Sequence, residues 1–213
     1  VPALVKATAR LGEQDAQAVL PKALGVIGES AVEDIIAGLA ASQYPETTLR
    51  RYVDALILIG PDAISSLANA LSHTSPQVRS GAVLTLGTSG KSAGHLVPKI
   101  ITLLDDDDAF VRASAAEALG KLGPAARAAA PILAGKLNDK VSRVRAAAVD
   151  GLGKTAGDDV TYAALFASAL NADEASVRIA ATRVLSKLPA IATAAAENLV
   201  AALVDEDEHV RAG

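Results

Sequence analysis

The residues of this chain best suited to chemistry are arginines that recur at a constant spacing. A Val-Arg pair returns at the same interval along most of the chain, and its arginines are Arg79, Arg112, Arg145, Arg178 and Arg211. A row of guanidinium groups could bind the phosphates or carboxylates of a ligand. In three copies an Asp stands six residues before the Arg, as Asp106 and Arg112, Asp139 and Arg145, and Asp205 and Arg211. We interpret these pairs as structural, with a charge-assisted hydrogen bond that joins each turn to the helix after it.

The other candidates for catalysis or metal binding are weaker. The three histidines are isolated in sequence; they are His73, His95 and His209. Asp105–Asp108 could suggest a cation site, but a calcium loop needs alternating oxygen ligands and a closing Glu, so we interpret these residues as helix caps. The segment Gly87–Ser92 contains Gly-Lys-Ser, but Thr85 stands where a phosphate loop has its first glycine, and no strand precedes it. The sequence predicts no catalytic, cofactor-binding or metal-binding residue.

Apolar residues share the period of the arginines and indicate the elements that must position them. Each Arg follows a valine, with alanine four positions after that valine and leucine eight positions after it: Val78, Val111, Val144, Val177 and Val210; Ala82, Ala115, Ala148 and Ala181; Leu86, Leu119, Leu152 and Leu185. Seven positions before the valine stand Leu71, Leu104, Leu137, Leu170 and Leu203. Each set keeps to one face of a helix. Each repeat is therefore predicted to be two short helices that are stable only when stacked on their neighbours.

Glycine and proline mark the ends of the predicted second helices. Gly60, Gly90 and Gly123 stand at or just past these ends. Glycine can adopt the left-handed conformation that closes a helix. Pro61 and Pro124 follow two of these glycines directly, where a helix cannot continue.

With these residues the pattern resembles HEAT repeats, in particular the short bacterial type also called phycobilisome-lyase HEAT-like repeats. Those repeats carry a Pro in the first helix, an Asp in the turn and an Arg six residues later. The matching residues are Pro98, Asp106 and Arg112; Pro131, Asp139 and Arg145; and Asp205 and Arg211. His73 and Ala172 replace the Asp in two copies, which we expect to weaken the Asp–Arg pairing in those copies. The resemblance implies an all-α fold, a right-handed α-α superhelix of helix pairs.

The period divides the chain into six full repeats and a partial seventh. Their approximate bounds are 1–28, 29–60, 61–91, 92–124, 125–157, 158–189 and 190–213. Helices are predicted at 2–10, 14–27, 30–42, 46–59 and 190–204. We predict one solenoid domain over residues 1–213, because the composition does not change along the chain. Helix 190–204 lacks a full partner helix, so we expect further repeats or domains of the same chain, the alternative being a last helix that was cut or disordered.

Composition limits the classes of partner. The formal net charge is −4, aromatic residues make up 2% of the chain, and cysteine is absent. An acidic balance and few aromatics disfavour nucleic-acid binding. We found no apolar run of the roughly 18–20 residues that a membrane span needs, so membrane insertion is not expected. The compartment stays open, with the cytoplasm favoured.

The resemblance implies that second helices line a concave face. The residues that would lie there are Ser80, Leu84, Thr88, Ala113, Glu117, Lys121, Ala146, Asp150, Lys154, Ile179, Arg183 and Lys187. Glu117 with Lys121, and Asp150 with Lys154, have the spacing of favourable pairs within one helix. A groove of mixed charge with apolar patches suits a protein or a peptide.

We therefore predict a non-enzymatic scaffold or regulatory module that binds a protein or peptide and needs no cofactor. The alternative implied by the resemblance is an accessory enzyme such as a bilin lyase. A less favoured alternative is a nucleic-acid-binding protein like the HEAT-like DNA glycosylases, which use a basic groove.

Overall fold

The computed structural model describes residues 31–41, 53–54, 56–57 and 59–212. The helices predicted at 2–10 and 14–27, and most of that at 46–59, lie outside the described residues. Every regular element in the described part of the chain is helical. The chain divides into two compact units, Val1–Lys99 and Ile100–Gly213. The prediction of one domain with six full repeats and a partial seventh stays a prediction, as does the right-handedness of the superhelix.

The first unit contains three complete helices in its described residues. They are α1 (Val32–Ala41), α2 (Ile64–Ala70) and α3 (Pro76–Thr88), and α4 (Val97–Thr102) crosses the boundary between the units. A 3-10 turn, Gly60–Ala63, leads into α2, and another, Gly90–Leu96, leads into α4. α1 packs against both α2 and α3, and α2 packs against α3. The helix predicted at 30–42 is therefore present as α1.

The second unit repeats one arrangement, a broken first helix followed by a longer second helix. Its helices are α5 (Ala109–Leu122), α6 (Ala130–Lys136), α7 (Ser142–Ala156), α8 (Ala163–Leu170), α9 (Ala175–Leu185), α10 (Pro189–Ala194), α11 (Ala196–Ala202) and α12 (Glu208–Ala212). The 3-10 segments are Leu103–Asp105, Gly123–Ala129 and Val160–Tyr162. α7 packs against α5 on one side and α9 on the other, and α9 packs against α12. The chain is thus an all-α, HEAT-like solenoid whose second helices stack one on the next within this unit.

The predicted apolar register is confirmed in both units. The valines at the register origin are all buried, and so are the alanines and leucines four and eight positions later. Of the leucines seven positions before the valine, Leu71, Leu104 and Leu170 are buried and Leu137 is half-buried. Leu203 departs from the pattern and is 66% exposed, because no described residue covers that side of α11.

The predicted ends of the second helices are present, but one predicted helix is broken in the structure. Gly60, Gly90 and Gly123 have φ of 76°, 55° and 57°, so each takes the positive φ that glycine was predicted to supply at these helix ends. The predicted helix 190–204 is instead two helices, because Ala195 leaves the helical conformation with φ −105° and ψ 16°. The two parts pack differently: α10 contacts α8 and α9, whereas α11 contacts α8.

Glycines set how closely the second helices approach. A Cβ at Gly151 would lie 2.7 Å from the backbone oxygen of Ala116 on α5, and a Cβ at Gly153 would lie 2.4 Å from Cγ1 of Val184 on α9. Both distances are shorter than non-bonded atoms tolerate, so α7 reaches its neighbours only because these two positions have no side chain. The close stack holds the exposed residues of α5, α7 and α9 in fixed relative positions.

Candidate binding face

The face that the sequence predicts for a partner can be followed across α5, α7 and α9. Six of the predicted residues are charged, lie on these helices or just after α9, and are exposed or half-buried: Glu117, Lys121, Asp150, Lys154, Arg183 and Lys187. We call these six residues the second-helix face. These residues stand at the same two register positions of successive repeats. The helices that carry them pack side by side, α5 against α7 and α7 against α9.

Two of the four residues predicted to form a small-residue strip beside this face are buried. Ser80 is fully buried, and Ala113 is 7% exposed, so neither can contact a partner; this part of the prediction is wrong. The position two residues after the valine turns partly into the packing between helices, and Ser80 Oγ donates a hydrogen bond to the backbone oxygen of Gln77. Ala146 and Ile179 are half-buried in the second unit. Leu84 is half-buried and Thr88 is exposed, and both lie on α3 in the first unit.

One of the two ion pairs predicted on the face is present. Lys121 Nζ lies 2.8 Å from Glu117 Oε1, as expected for a pair within one helix. Asp150 does not pair with Lys154. Its carboxylate accepts from Arg183 on the neighbouring helix, with 3.2 Å between Arg183 Nε and Asp150 Oδ1 and a second contact from the guanidinium to Oδ2. Arg183 is the better partner because its planar fork matches both carboxylate oxygens.

A groove of about 260 Å³ opens between α7 and α9 on this face. Its lining consists of Asp150, Gly153, Lys154, Arg183, Val184, Lys187 and Leu188. Gly153, Val184 and Leu188 form the apolar part of this lining. These three residues were not among those predicted from the sequence to bind a partner. Val184 and Leu188 stand one residue after Arg183 and Lys187, which is the only signal that could have found them. Lys154 and Lys187 form no ion pair with any described residue.

The repeated arginines occupy a different place, at the turns between helices. Arg112 donates from Nη1 to the backbone oxygens of Asp106 and Asp107, at 2.9 and 3.1 Å. Its Nε and Nη2 donate to the Asp139 carboxylate of the next repeat, at 2.8 and 3.0 Å. Arg178 repeats this arrangement with the backbone oxygens of Ala172 and Asp173 and the carboxylate of Asp205; these bonds are 2.8–3.0 Å long. We call this set of contacts the arginine ladder.

The predicted hydrogen bonds that join turn to helix are present between Asp106 and Arg112, Asp139 and Arg145, and Asp205 and Arg211, but the acceptor is a backbone oxygen and not the carboxylate. In each of these copies the Arg donates to the backbone oxygen of its own turn, at 2.9 Å for Arg112, 2.8 Å for Arg145 and 2.6 Å for Arg211. The carboxylate that the arginine binds, in the two complete cases, belongs to the turn of the next repeat. The turn before an arginine and the turn after it are the same register position of successive repeats. The period alone therefore could not separate a contact within one repeat from a contact between two.

The turn aspartates also close their own turns. Oδ1 of Asp106, Asp139 and Asp205 accepts from the backbone N–H two residues later, each at 2.9 Å. His73 takes the same role in its copy, where Nδ1 accepts from the Ser75 N–H at 3.0 Å. Asp108 caps α5 by accepting from the N–H groups of Phe110 and Val111, which confirms the capping interpretation of the acidic turn.

The carboxylates of the ladder are held in their charged form. Burial raises the pKa of Asp139, but hydrogen bonds from Arg112 and from the Val141 N–H outweigh it and lower the pKa below its ordinary value. The hydrogen bond from Arg178 lowers the pKa of Asp205 in the same direction. The Arg112 and Asp139 side chains are each 7% exposed. Because both groups are charged and satisfied, the ladder is a closed structural pairing.

We call each ladder arginine with its carboxylate a rung, and one rung among the described residues of the second unit is altered. For Arg145 the position that corresponds to Asp139 and Asp205 is occupied by Ala172, and the guanidinium instead contacts Glu174 Oε1. This hydrogen bond lowers the pKa of Glu174. A cavity of about 220 Å³ lies beside the rung, lined by Arg145, Asn138, Asn171, Ala172, Asp173 and apolar neighbours. Ala172 in place of Asp thus alters the pairing of Arg145, in the preceding repeat. Arg178, in the same repeat as Ala172, keeps all its hydrogen bonds.

In residues 31–41, 53–54, 56–57 and 59–212, no group of three or more His, Asp or Glu side chains is arranged to hold a metal ion. None of the helices in this part of the chain combines the length and the apolar character that a membrane crossing requires.

Comparison with known proteins identifies the family. The sequence model described as HEAT repeats matches residues 64–153 and again residues 97–186, which together are more than half of the chain. This chain belongs to the HEAT-repeat family. No curated protein matches it.

One solved structure supports this fold, and a second is similar to the chain more weakly. One similar structure is the complex of CpcE and CpcF of phycocyanin lyase from Nostoc sp. PCC7120, with 20% sequence identity, a TM-score of 0.61, and coverage of 73% of this chain and 98% of that chain. Another is human deoxyhypusine hydroxylase in complex with glycerol, with 21% identity, a TM-score of 0.46, and coverage of 87% and 83%. The first supports the HEAT-like fold, and the second carries no argument at that score.

Proposed function

We propose that this chain is a non-enzymatic protein-interaction module that binds a protein or peptide on its second-helix face. The observation that carries the proposal is the groove between α7 and α9. Four of its lining residues, Asp150, Lys154, Arg183 and Lys187, are the ones that repeat register selects for a partner face. The groove combines charged walls with an apolar floor, as protein-binding surfaces do.

The stack beneath the face supports this proposal. Gly151 and Gly153 bring α5, α7 and α9 into close contact, so the charged residues stand on helices that do not need to rearrange. A preformed surface avoids much of the entropy cost of ordering on binding. The ladder arginines Arg112 and Arg178 are excluded from the proposed face, because their side chains are 7% and 9% exposed and already bind carboxylates.

The proposal is tested by affinity capture from the source organism with the wild-type chain and two variants. The face variant carries Arg183→Glu and Lys187→Glu. The control variant carries Lys91→Glu and Lys140→Glu, two exposed lysines outside the face, so that its net charge is the same. We expect the control to retain the partners of the wild type and the face variant to lose them, with both variants keeping the wild-type helical content. Equal partners in all three captures, or chaperones alone, would refute the proposal.

A bilin lyase-like accessory enzyme is the second candidate, and the fold of the CpcE–CpcF complex is the observation that favours it. The groove between α7 and α9 holds about 260 Å³, below the roughly 300–1,000 Å³ usual for small-molecule sites. A tetrapyrrole is larger than most ligands of that range. Mixing the chain with a bilin and recording the absorbance spectrum tests this candidate: a shift that Lys187→Glu abolishes would favour it over the interaction module.

A further inference from the structure

The second-helix face has a charge opposite to that of the chain. It holds four basic residues (Lys121, Lys154, Arg183 and Lys187) and two acidic ones (Glu117 and Asp150), a difference of +2, whereas the whole chain has a formal net charge of −4. A face of this sign attracts a negatively charged partner that the rest of the surface repels.

The ion pairs concentrate this charge at the groove. Glu117 is matched to Lys121 at 2.8 Å, and Asp150 is matched to Arg183. The two remaining cations, Lys154 and Lys187, form no ion pair with described residues, and both line the groove. The unmatched charge of the face therefore lies in the lining of one groove.

The floor of the groove is apolar. We use the word floor for the apolar part of the lining, which consists of Gly153, Val184 and Leu188. Gly153 cannot carry a side chain, since a Cβ there would lie 2.4 Å from Val184 Cγ1. An occupant that satisfies this lining needs an aliphatic group for the floor and an anionic group for each lysine.

The spacing of these groups is set by the repeat. Lys154 lies on α7, and Lys187 follows α9 by two residues, so the lysines belong to neighbouring stacked helices. Helices packed in this way lie about 8–10 Å apart. In an extended chain alternate side chains point to the same face and each residue advances about 3.3 Å, so two carboxylates four residues apart lie on one face about 13 Å apart, a separation that long lysine side chains on neighbouring helices can span.

We propose that the occupant of this groove is an acidic segment of a partner protein, with two carboxylates placed on either side of aliphatic side chains. This inference rests on the proposed function and specifies the chemistry of its partner. The carboxylates bind Lys154 and Lys187, and the aliphatic side chains cover Val184 and Leu188. Arg183 stays bound to Asp150 and holds the wall of the groove.

The test uses three fluorescein-labelled peptides and the full chain, with binding measured by fluorescence anisotropy. The first peptide has the core Glu-Leu-Leu-Leu-Glu, in which both Glu and the central Leu share one face of an extended chain. The second peptide replaces both Glu with Gln, and the third replaces all three Leu with Ser. At low ionic strength we expect the first to bind about 10-fold more tightly than either of the others. Its binding should weaken by a similar factor at about 0.5 M salt, where exposed charges are screened.

Two variants of the chain locate the binding. Lys154→Gln with Lys187→Gln removes the two unpaired cations and should weaken the first peptide about 10-fold, to the level of the Gln peptide. Lys91→Gln with Lys140→Gln makes the same change in net charge away from the groove and should leave the affinity within about 2-fold of the wild type. Circular dichroism melts of both variants confirm that they remain folded.

Each other outcome counts against the inference. Equal binding of the Glu and Gln peptides would show that the groove does not recognise acidic groups. The proposed function would still stand in that case if the Arg183→Glu, Lys187→Glu variant lost its partner in the affinity capture. Equal weakening by the two lysine variants would show attraction to net charge alone. Absence of binding by the Glu peptide would overturn the inference, and the capture experiment would decide the proposed function independently.

Discussion

The arginine ladder and the second-helix face both carry basic side chains that recur from repeat to repeat, but those of the ladder are buried and paired, whereas those of the face are exposed. In the ladder, Arg112 and Arg178 have side chains 7% and 9% exposed, and each binds a carboxylate of the next repeat through two donors. On the face, Arg183 is 53% exposed, and Lys154 and Lys187 form no ion pair with described residues. A cation that recurs from repeat to repeat is structural where it is buried and matched, and available to a partner where it is exposed and unmatched.

The ladder contains a second comparison within itself. Arg112 and Arg178 meet an Asp that also closes its own turn, whereas Arg145 meets Ala172 and contacts the more exposed Glu174 instead. The same helix stack continues through both kinds of rung. The stack therefore depends first on apolar packing and close helix approach, and the rungs add to it.

The largest expected effect on stability comes from breaking a complete rung. Arg112→Ala strands the Asp139 carboxylate and two backbone oxygens, so we expect a loss of about 1–3 kcal/mol in the free energy of unfolding. Urea unfolding followed by circular dichroism measures it. The matched control is Arg183→Ala, which removes an exposed pair with Asp150 and should cost less than about 1 kcal/mol. Equal losses would show that burial does not separate the two kinds of arginine.

Restoring the altered rung should have an effect of the opposite sign. Ala172→Asp places a carboxylate in the turn that follows Arg145, beside the cavity of about 220 Å³, as in the complete rungs. The expected gain is about 0.5–1.5 kcal/mol, the net value of an added hydrogen-bonded pair. The melting temperature of Ala172→Asn, which can close the turn without a charge, separates the two contributions. A loss of stability on Ala172→Asp would mean that Glu174 already completes the rung.

The pH dependence of stability tests the charge state of the ladder. Because the folded pKa of Asp139 lies below its ordinary value of 3.8, the stability that the ionised group contributes is present above that value and is lost as the pH falls through the folded pKa. Asp139→Asn should therefore be less stable than the wild type at neutral pH. The difference should shrink as the pH falls below about 4. Urea midpoints across this range measure it, and a constant difference would contradict the assignment.

The smallest effect on stability is expected on the face. Lys154→Gln with Lys187→Gln removes two exposed cations that form no ion pair with described residues, so the free energy of unfolding should stay within about 0.5 kcal/mol of the wild type. The same variant should lose affinity for the acidic peptide. A thermal melt and the anisotropy titration, made on one preparation, compare the two properties directly. Destabilisation comparable to that of Arg112→Ala would place these lysines among the structural charges.

The sequence alone determined the fold class and the register of the core. Val111, Ala115 and Leu119 recur at fixed offsets, and helix geometry allows only one face for such a set, so burial followed from spacing. The helix ends at Gly60, Gly90 and Gly123 were equally predictable, because a local conformation depends on local residues.

Only the tertiary structure decided which residues of neighbouring repeats meet. Within a repeated sequence, Asp106 and Asp139 stand at the same register position, and no spacing tells Arg112 which of the two carboxylates it binds. The burial of Ser80 and Ala113, the pairing of Asp150 with Arg183, and the apolar floor at Val184 and Leu188 were undetermined for the same reason. Each depends on the distance and rotation between packed helices, which the spacing of residues along one helix does not encode.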